Sequence, residues 1–303
     1  MKKSTKISLL VSLVMVLVGA IIIFISLLGV GFDIRKFSNM TFEKKVYDIT
    51  ESFNEIRVTD YTDNIEVHLS GDDKCRIICY DNEKIYHEFN VNNNGHLMIF
   101  ARDDRAWYEK IGIFYKENNK LQIYVPDYFY EEIYAQTLNG DITVPKDFTF
   151  NNAHLSTTNG KINLDADIIQ NLTAETPNGD IVLNGELNGK IHALTTNGKI
   201  IANNIKNANW ADFTTTNGNI ELDGDVIRQF EAHSVNGSIK FGDVISDRIY
   251  MNTVNGSITG TVPANKSCMG KSTNGTVNIP NRVDDNWDFY FKTVNGNIDI
   301  KTK

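Results

Sequence analysis

The sequence predicts an all-β protein: a single-stranded β-solenoid (β-helix) of about nine coils of 19–21 residues, preceded by an irregular β capping region and one N-terminal transmembrane helix. Three observations predict it. The first is a period. Asn-Gly stands at Asn139-Gly140, Asn159-Gly160, Asn178-Gly179, Asn197-Gly198, Asn217-Gly218, Asn236-Gly237, Asn255-Gly256, Asn274-Gly275 and Asn295-Gly296. Successive pairs lie 20, 19, 19, 20, 19, 19, 19 and 21 residues apart. A fixed period near twenty marks coils that stack on their neighbours. The second observation is alternation. Apolar pairs such as Ile162/Leu164 and Ile220/Leu222 follow each Asn by three and five residues, and pairs such as Leu172/Ala174 and Phe230/Ala232 precede it by six and four. That is the period of strands with one buried face. The third is an uncharged run of 26 residues, Ile7 to Phe32.

Residues 1–6 carry Lys2, Lys3 and Lys6 and form a short basic tail. The run 7–32 would reach about 39 Å as a helix, enough to span a bilayer with some tilt. A cleaved signal peptide also starts with basic residues, but its apolar core is usually only about 7–15 residues long. An uncleaved signal anchor is therefore expected, N-terminus inside, with the C-terminal domain extracytoplasmic and single-pass at the cell membrane. The formal net charge is −8, and removing the three lysines ahead of the span leaves −11. An acidic domain is not built to grip polyanions, so no nucleic-acid partner is expected.

Residues 33–52 are polar and mixed in charge, a stalk. Residues 53–130 are β-rich without the strict repeat. There Ile56-Arg57-Val58 and Ile65-Glu66-Val67 flank Tyr61-Thr62-Asp63-Asn64, a degenerate coil with Thr62-Asp63 in the place of Asn-Gly. Aromatic residues crowd this segment, among them Trp107, Tyr108, Phe114, Tyr115, Tyr128 and Phe129, as a cap over the open end of a solenoid requires, the alternative being a ligand groove at the same place.

The coils occupy 131–303. Before each Asn the inward side chains fall on even offsets and after it on odd ones, so the phase slips by one residue at Asn-Gly. Such a slip needs a bend, and a glycine with positive φ is the expected device. Two residues before each Asn stands Thr or Ser, Thr157, Thr176 and Ser234 for example. Its hydroxyl is expected to satisfy backbone groups that the bend removes from the ladder. Stacked Asn side chains are expected to form an amide ladder. Near the C-terminus, Trp287, Phe289, Tyr290 and Phe291 suggest that an enlarged last coil covers the stack, with Lys301 and Lys303 charging the terminal edge strand.

These residues together resemble a known family. The short lysine-led span, the β segment ending Tyr124-Val125-Pro126 and the Thr-x-Asn-Gly-x-Ile-x-Leu coils are similar to the putative-adhesin β-solenoid family, a domain of unknown function common in Gram-positive bacterial envelopes. The resemblance runs from about Phe53 to the C-terminus. It implies the solenoid fold and an envelope setting, and supplies no catalytic residues.

Little in the chain carries chemistry. Cys75 and Cys79 would lie about 13 Å apart on one strand, too far for a disulfide. With no Cys/His cluster at ligand spacing, neither a metal nor another cofactor is expected. One outward column, five residues before each Asn, mixes Tyr134, His154, His192, Tyr250 and Tyr290 with Asp212 and Glu231. It is the candidate binding face for cell-wall polymer or an envelope protein. Asp212 and Glu231, one coil apart, approach the spacing of a retaining carboxylate pair, but nothing marks either as an acid with a raised pKa. The expected function is a non-enzymatic, membrane-anchored surface-display module. The alternative is an accessory of an envelope-stress-sensing membrane complex, and more remotely a polysaccharide-active β-helix enzyme.

Overall fold

The computed structural model describes residues 3–33, 40–111, 116, 119–224 and 226–303. Phe114 and Tyr115 of the expected aromatic cap lie outside the described residues. The chain opens with an α-helix, Lys3–Gly29. Its segment Thr5–Gly29 is long and apolar enough to cross a membrane and is not buried against the rest of the protein. A signal sequence passes the same test of length and composition. Beyond Phe32, the helical structure among the described residues is one 3-10 turn, Glu109–Ile111.

Apart from turns and bends, the rest of the described structure is strand, wound into a β-solenoid of about eight turns. Each regular coil is a longer strand, a four-residue corner and a short strand. Thr149–Thr157 pairs in parallel with Phe129–Thr137 on one side and Asp167–Thr176 on the other, like residues above like. The short strands Ile142–Val144, Ile162–Leu164 and Ile181–Leu183 stack in the same way. Both apolar columns point inward, and the core is a continuous pile of Ile, Leu, Val, Ala and Phe running through the stack. Each fully buried Ile or Leu contributes roughly 1.5–3 kcal/mol.

At the corners the hydroxyl expectation is met. Thr157, Thr176 and Thr215 each donate to the carbonyl oxygen of the corner glycine one coil earlier, Gly140, Gly160 and Gly198, at 2.8 Å. The amide ladder is there too. Asn159 Nδ2 donates to Asn139 Oδ1 at 2.7 Å, Asn178 to Asn159 at 2.9 Å, and so on in one direction. The expected positive φ is corrected. The left-handed glycines among the described residues are Gly31, Gly95 and Gly189, none of them at an Asn-Gly corner. Corner glycine is required for a different reason, close approach. A Cβ on Gly218 would stand 1.8 Å from the carbonyl oxygen of Gly198.

Both ends break the order of the chain. The last coil, Phe289–Thr293 and Ile298–Thr302, does not lie outermost. It slides between the coil of Asn255 and the coil of Asn274, pairing with Ile249–Thr253 and Ile258–Val262 on one side and Cys268–Ser272 and Val277–Asn278 on the other. The expectation of a covering last coil with a charged terminal edge is therefore corrected. Lys301 and Thr302 pair with Thr261 and Val262, and the coil of Asn274 is the outer one. The amide ladder follows space rather than sequence, running Asn255, Asn295, Asn274.

The N-terminal end mirrors this. Glu55–Thr59 and Asn64–Leu69 form the degenerate coil, and its corner aligns with the first Asn-Gly, Asp63 standing where the next coil has Gly140. Beneath it lies a coil from later in the chain, His96–Asp103 and Lys120–Val125. Antiparallel strands close that end: Ile85–Val91 on His96–Asp103, Cys75–Asp81 on Lys120–Val125, and Glu43–Ile49 on Cys75–Asp81. Glu43–Ile49 falls within the segment expected to be a stalk.

Candidate functional site: an outward aromatic face and a buried ionic clamp

The five residues expected on one outward column all project from the long-strand sheet, half-buried, and fall into three groups. Tyr134 and His154, on adjacent coils, stack with ring centroids 4.9 Å apart and planes 10° apart. The Arg57 guanidinium lies 5.9 Å above the Tyr134 ring. His192 stands apart from them, beyond Thr173. Its Nδ1 meets Asp212 Oδ2 at 3.2 Å, and that carboxylate raises the imidazole pKa against partial burial. The third group is the largest. Tyr250 and Tyr290 stack at 5.2 Å and 12°, Trp287 lies 5.1 Å from Tyr290, and His233 5.4 Å from Tyr250. Arg248 sits 5.9 Å over the Trp287 ring.

Tyr250 touches Tyr290 because the last coil is inserted out of order. In chain order Met269 would lie between them, whereas in space Tyr290 lies between Tyr250 and Met269. Trp287, His233 and Arg248 lie outside that column, so a reading of one column missed them, and Arg57 stands in it opposite Tyr134, on the degenerate coil that lacks Asn-Gly. Asp212 and Glu231 sit opposite each other on paired strands. Asp212 is engaged by His192 and Thr214, and Glu231 by Gln229 and His233.

A second constellation was not expected at all. At the capping end, two corner columns turn acidic. Asp60 occupies the column of the inward Thr, next to Thr137 of the following coil, and Asp63 occupies the glycine column. The coil beneath does not repeat the four-residue spacing of this corner. Phe100 pairs with Thr59 and Lys120 with Asn64, so nineteen residues of sequence separate the two where the coil above has four.

Asp60 Oδ1 accepts the backbone N–H groups of Tyr61, Thr62 and Asp63 at 2.6, 2.8 and 2.8 Å. Its Oδ2 accepts from His87 Nε2 at 2.9 Å, and His87 Nδ1 donates to Asp81 Oδ1 at 2.6 Å. Cys79 Sγ lies 3.4 Å from Asp81 Oδ2, and the Lys116 ammonium is paired with Asp63. The His87, Asp60, Asp63 and Asp81 side chains are 1–2% exposed.

Burial pushes His87 toward neutrality, but the carboxylates of Asp60 and Asp81 overcome it and raise its pKa to about 12. His87 is therefore an imidazolium at neutral pH, donating from both ring nitrogens. Burial likewise opposes ionisation of Asp60 and Asp81, yet His87 holds both below the ordinary carboxylate value. Asp63 is held high by burial and by the charge of Asp60, against Lys116. Burial raises the Cys79 thiol as well, so it is no ready nucleophile. Two sets here could offer metal ligands, Asp60/Asp63/His87 and Cys79/Asp81/His87, with ligating atoms within 4.8 Å of one another. In both sets the charges are already engaged, by the proton between His87 and Asp60 and by Lys116 on Asp63. What the arrangement does is join Lys116, the closing antiparallel strands and the first coil.

A family model described as Toastrack DUF4097 matches residues 53–288. No curated protein matches the chain. Among solved structures, a putative adhesin from Parabacteroides merdae is 14% identical, over 88% of this chain and 98% of that one, with a TM-score of 0.47. A putative adhesin from Bacteroides fragilis is 18% identical over 86% and 97%, TM-score 0.42. A putative lipid binding protein from Parabacteroides distasonis is 16% identical over 86% and 97%, TM-score 0.45. At these identities and scores none of the three bears on what this chain does.

Proposed function

The chain belongs to the Toastrack DUF4097 family, and from that premise we propose that it is a non-enzymatic display module of the bacterial cell envelope. The N-terminal helix anchors it in the cell membrane, and the coils, on the extracytoplasmic side, carry the aromatic face away from the bilayer to bind cell-wall polymer. One observation carries this reading: the Tyr250–Tyr290–Trp287 platform, flanked by Arg248 and His233 on the outward sheet face. Half-exposed aromatic rings offer flat apolar surface with polar edges, which suits the mixed faces of a sugar chain. Tyr134 and His154 give a second, smaller patch on the same face.

The test is retention of purified cell-wall polysaccharide by full-length protein in detergent micelles. Tyr250→Ser/Tyr290→Ser should lose most of the retention, and Tyr134→Ser/His154→Ser/His192→Ser part of it. Equal retention by the wild type and both variants would remove the face from the proposal. Capture of other membrane proteins, dependent on residues 1–32, would favour the accessory reading instead.

A further inference from the structure

We propose that the loop carrying Trp107 and Tyr108 dips into the headgroup region of the membrane that holds the chain's own helix. It thereby fixes the tilt of the solenoid over the bilayer. The proposal rests on reading that helix as an anchor.

The loop is an anomaly in the stack. Where the coil above turns its corner in four residues, 60–63, this coil spends nineteen, 101–119. The described part is pinned rather than loose. Arg105 makes two guanidinium contacts with Asp103, both at 2.8 Å, and the Asp104 amide donates to the Lys84 carbonyl at 2.8 Å. Lys84 is paired with Glu109, whose carboxylate also accepts from the Ala106 amide at 2.9 Å. On this fixed backbone Trp107 and Tyr108 point outward, 75% and 63% exposed. They are the two most exposed large apolar side chains beyond the helix among the described residues. Holding a tryptophan in water on an ordered loop forgoes the free energy that burying its ring would return. Trp and Tyr are also the side chains that collect at bilayer interfaces, where one end of the ring meets lipid and the other stays wet.

Position names the occupant. Glu43, where the chain joins the β structure, pairs with Asp81, and the turn that follows Asp81 is the one holding Asp104 and Glu109 through Lys84. Phe42 lies against Lys116 of the same excursion, 5.3 Å from ring centre to ammonium. The loop and the point where the tether arrives are thus one locality. From Phe32 to Phe42 the chain spans at most about 35 Å fully extended. This end of the stack is therefore held close to the bilayer surface, while the Tyr250–Tyr290 platform lies several coils away.

The experiment uses full-length protein reconstituted into phosphatidylcholine–phosphatidylglycerol vesicles. Trp210→Phe/Trp287→Phe leaves Trp107 as the emitter, the chain having three tryptophans. The expected result is blue-shifted emission that lipids brominated near the headgroup quench severalfold and aqueous iodide quenches weakly. In the wild-type background, Trp107→Ser should remove the lipid-quenchable component, which covers the case that the double variant fails to fold. Co-flotation with vesicles but emission at the water-exposed wavelength, open to iodide and untouched by bromolipid, would overturn the proposal alone. Failure to co-float would overturn the anchor reading and the proposal with it.

Discussion

The hydroxyl of Thr215 donates to the carbonyl oxygen of Gly198, one coil away, at 2.8 Å. The same oxygen stands 1.8 Å from where a Cβ on Gly218 would be. One carbonyl therefore explains two columns of the repeat. The corner takes it out of the strand ladder, so a hydroxyl must satisfy it, and its approach leaves room only for glycine.

Gly218→Ala should destabilise the protein by about 1–3 kcal/mol, because the methyl meets fixed backbone rather than a side chain that can rotate away. Gly71, with nothing within 4 Å of its ideal Cβ, is the control, and Gly71→Ala should stay within about 0.5 kcal/mol. Thermal melts of the two variants check this. Equal shifts would mean that backbone freedom, not close approach, sets the corner.

Thr215→Val keeps the shape and removes the donor, leaving the Gly198 oxygen without its partner in a buried corner. A loss of about 1–3 kcal/mol is expected, whereas Thr215→Ser should recover most of it, as Ser234 does in the next coil at 2.9 Å from Gly218. Urea titration of the pair distinguishes a hydrogen-bond role from a packing one.

The buried clamp predicts a pH profile. His87 has its pKa raised to about 12 from 6.5, so the stability it brings is complete below pH 6.5 and drains away as pH climbs toward 12. Asp60 and Asp81 are held below 3.8, so their contribution is present above that value and lost as pH falls through their lowered pKa values. Asp63 is raised and works the other way, most favourable when protonated. Melting temperature should therefore peak in mildly acidic solution and decline on the alkaline side. His87→Gln should flatten the alkaline limb. Its cost at neutral pH, two buried carboxylates losing their cation, should be about 3–5 kcal/mol. An alkaline limb unchanged in the variant would assign the decline to other groups.

The fold was legible because its grammar is local. Asn-Gly spacing, the inward Ile and Leu columns and the Thr column each report what one coil must do, and Thr62-Asp63 could be aligned as a coil by offset alone. Stacking order is not local. Nothing in the interval between Asn274 and Asn295 says that the second coil slides beneath the first, yet that step creates the Tyr250–Tyr290 contact. The clamp was hidden for a related reason. Asp60, Asp63, Asp81, His87 and Lys116 come from a corner, two antiparallel strands and an excursion, and no single period relates them. The signal that was available was Asp60 and Asp63 standing in columns that elsewhere hold a hydroxyl and a glycine.

Insertion of the last coil gives the sharpest test of the stacking order. Each strand of the Asn274 coil, Cys268–Ser272 and Val277–Asn278, pairs with a strand of the final coil and not with the coil of Asn255. Removing residues 285–303 should therefore abolish amide protection over 269–278, since the ladder partners of those residues are gone. Thr149–Thr157 and Asp167–Thr176, deep in the stack, should keep theirs, because each coil of a solenoid depends on its immediate neighbours. Stacking in chain order predicts the reverse for 269–278, which would stay protected against the Asn255 coil. Hydrogen–deuterium exchange resolved to these peptides separates the two, and persistent protection at residues 269–272 in the truncated protein would count against the inserted order.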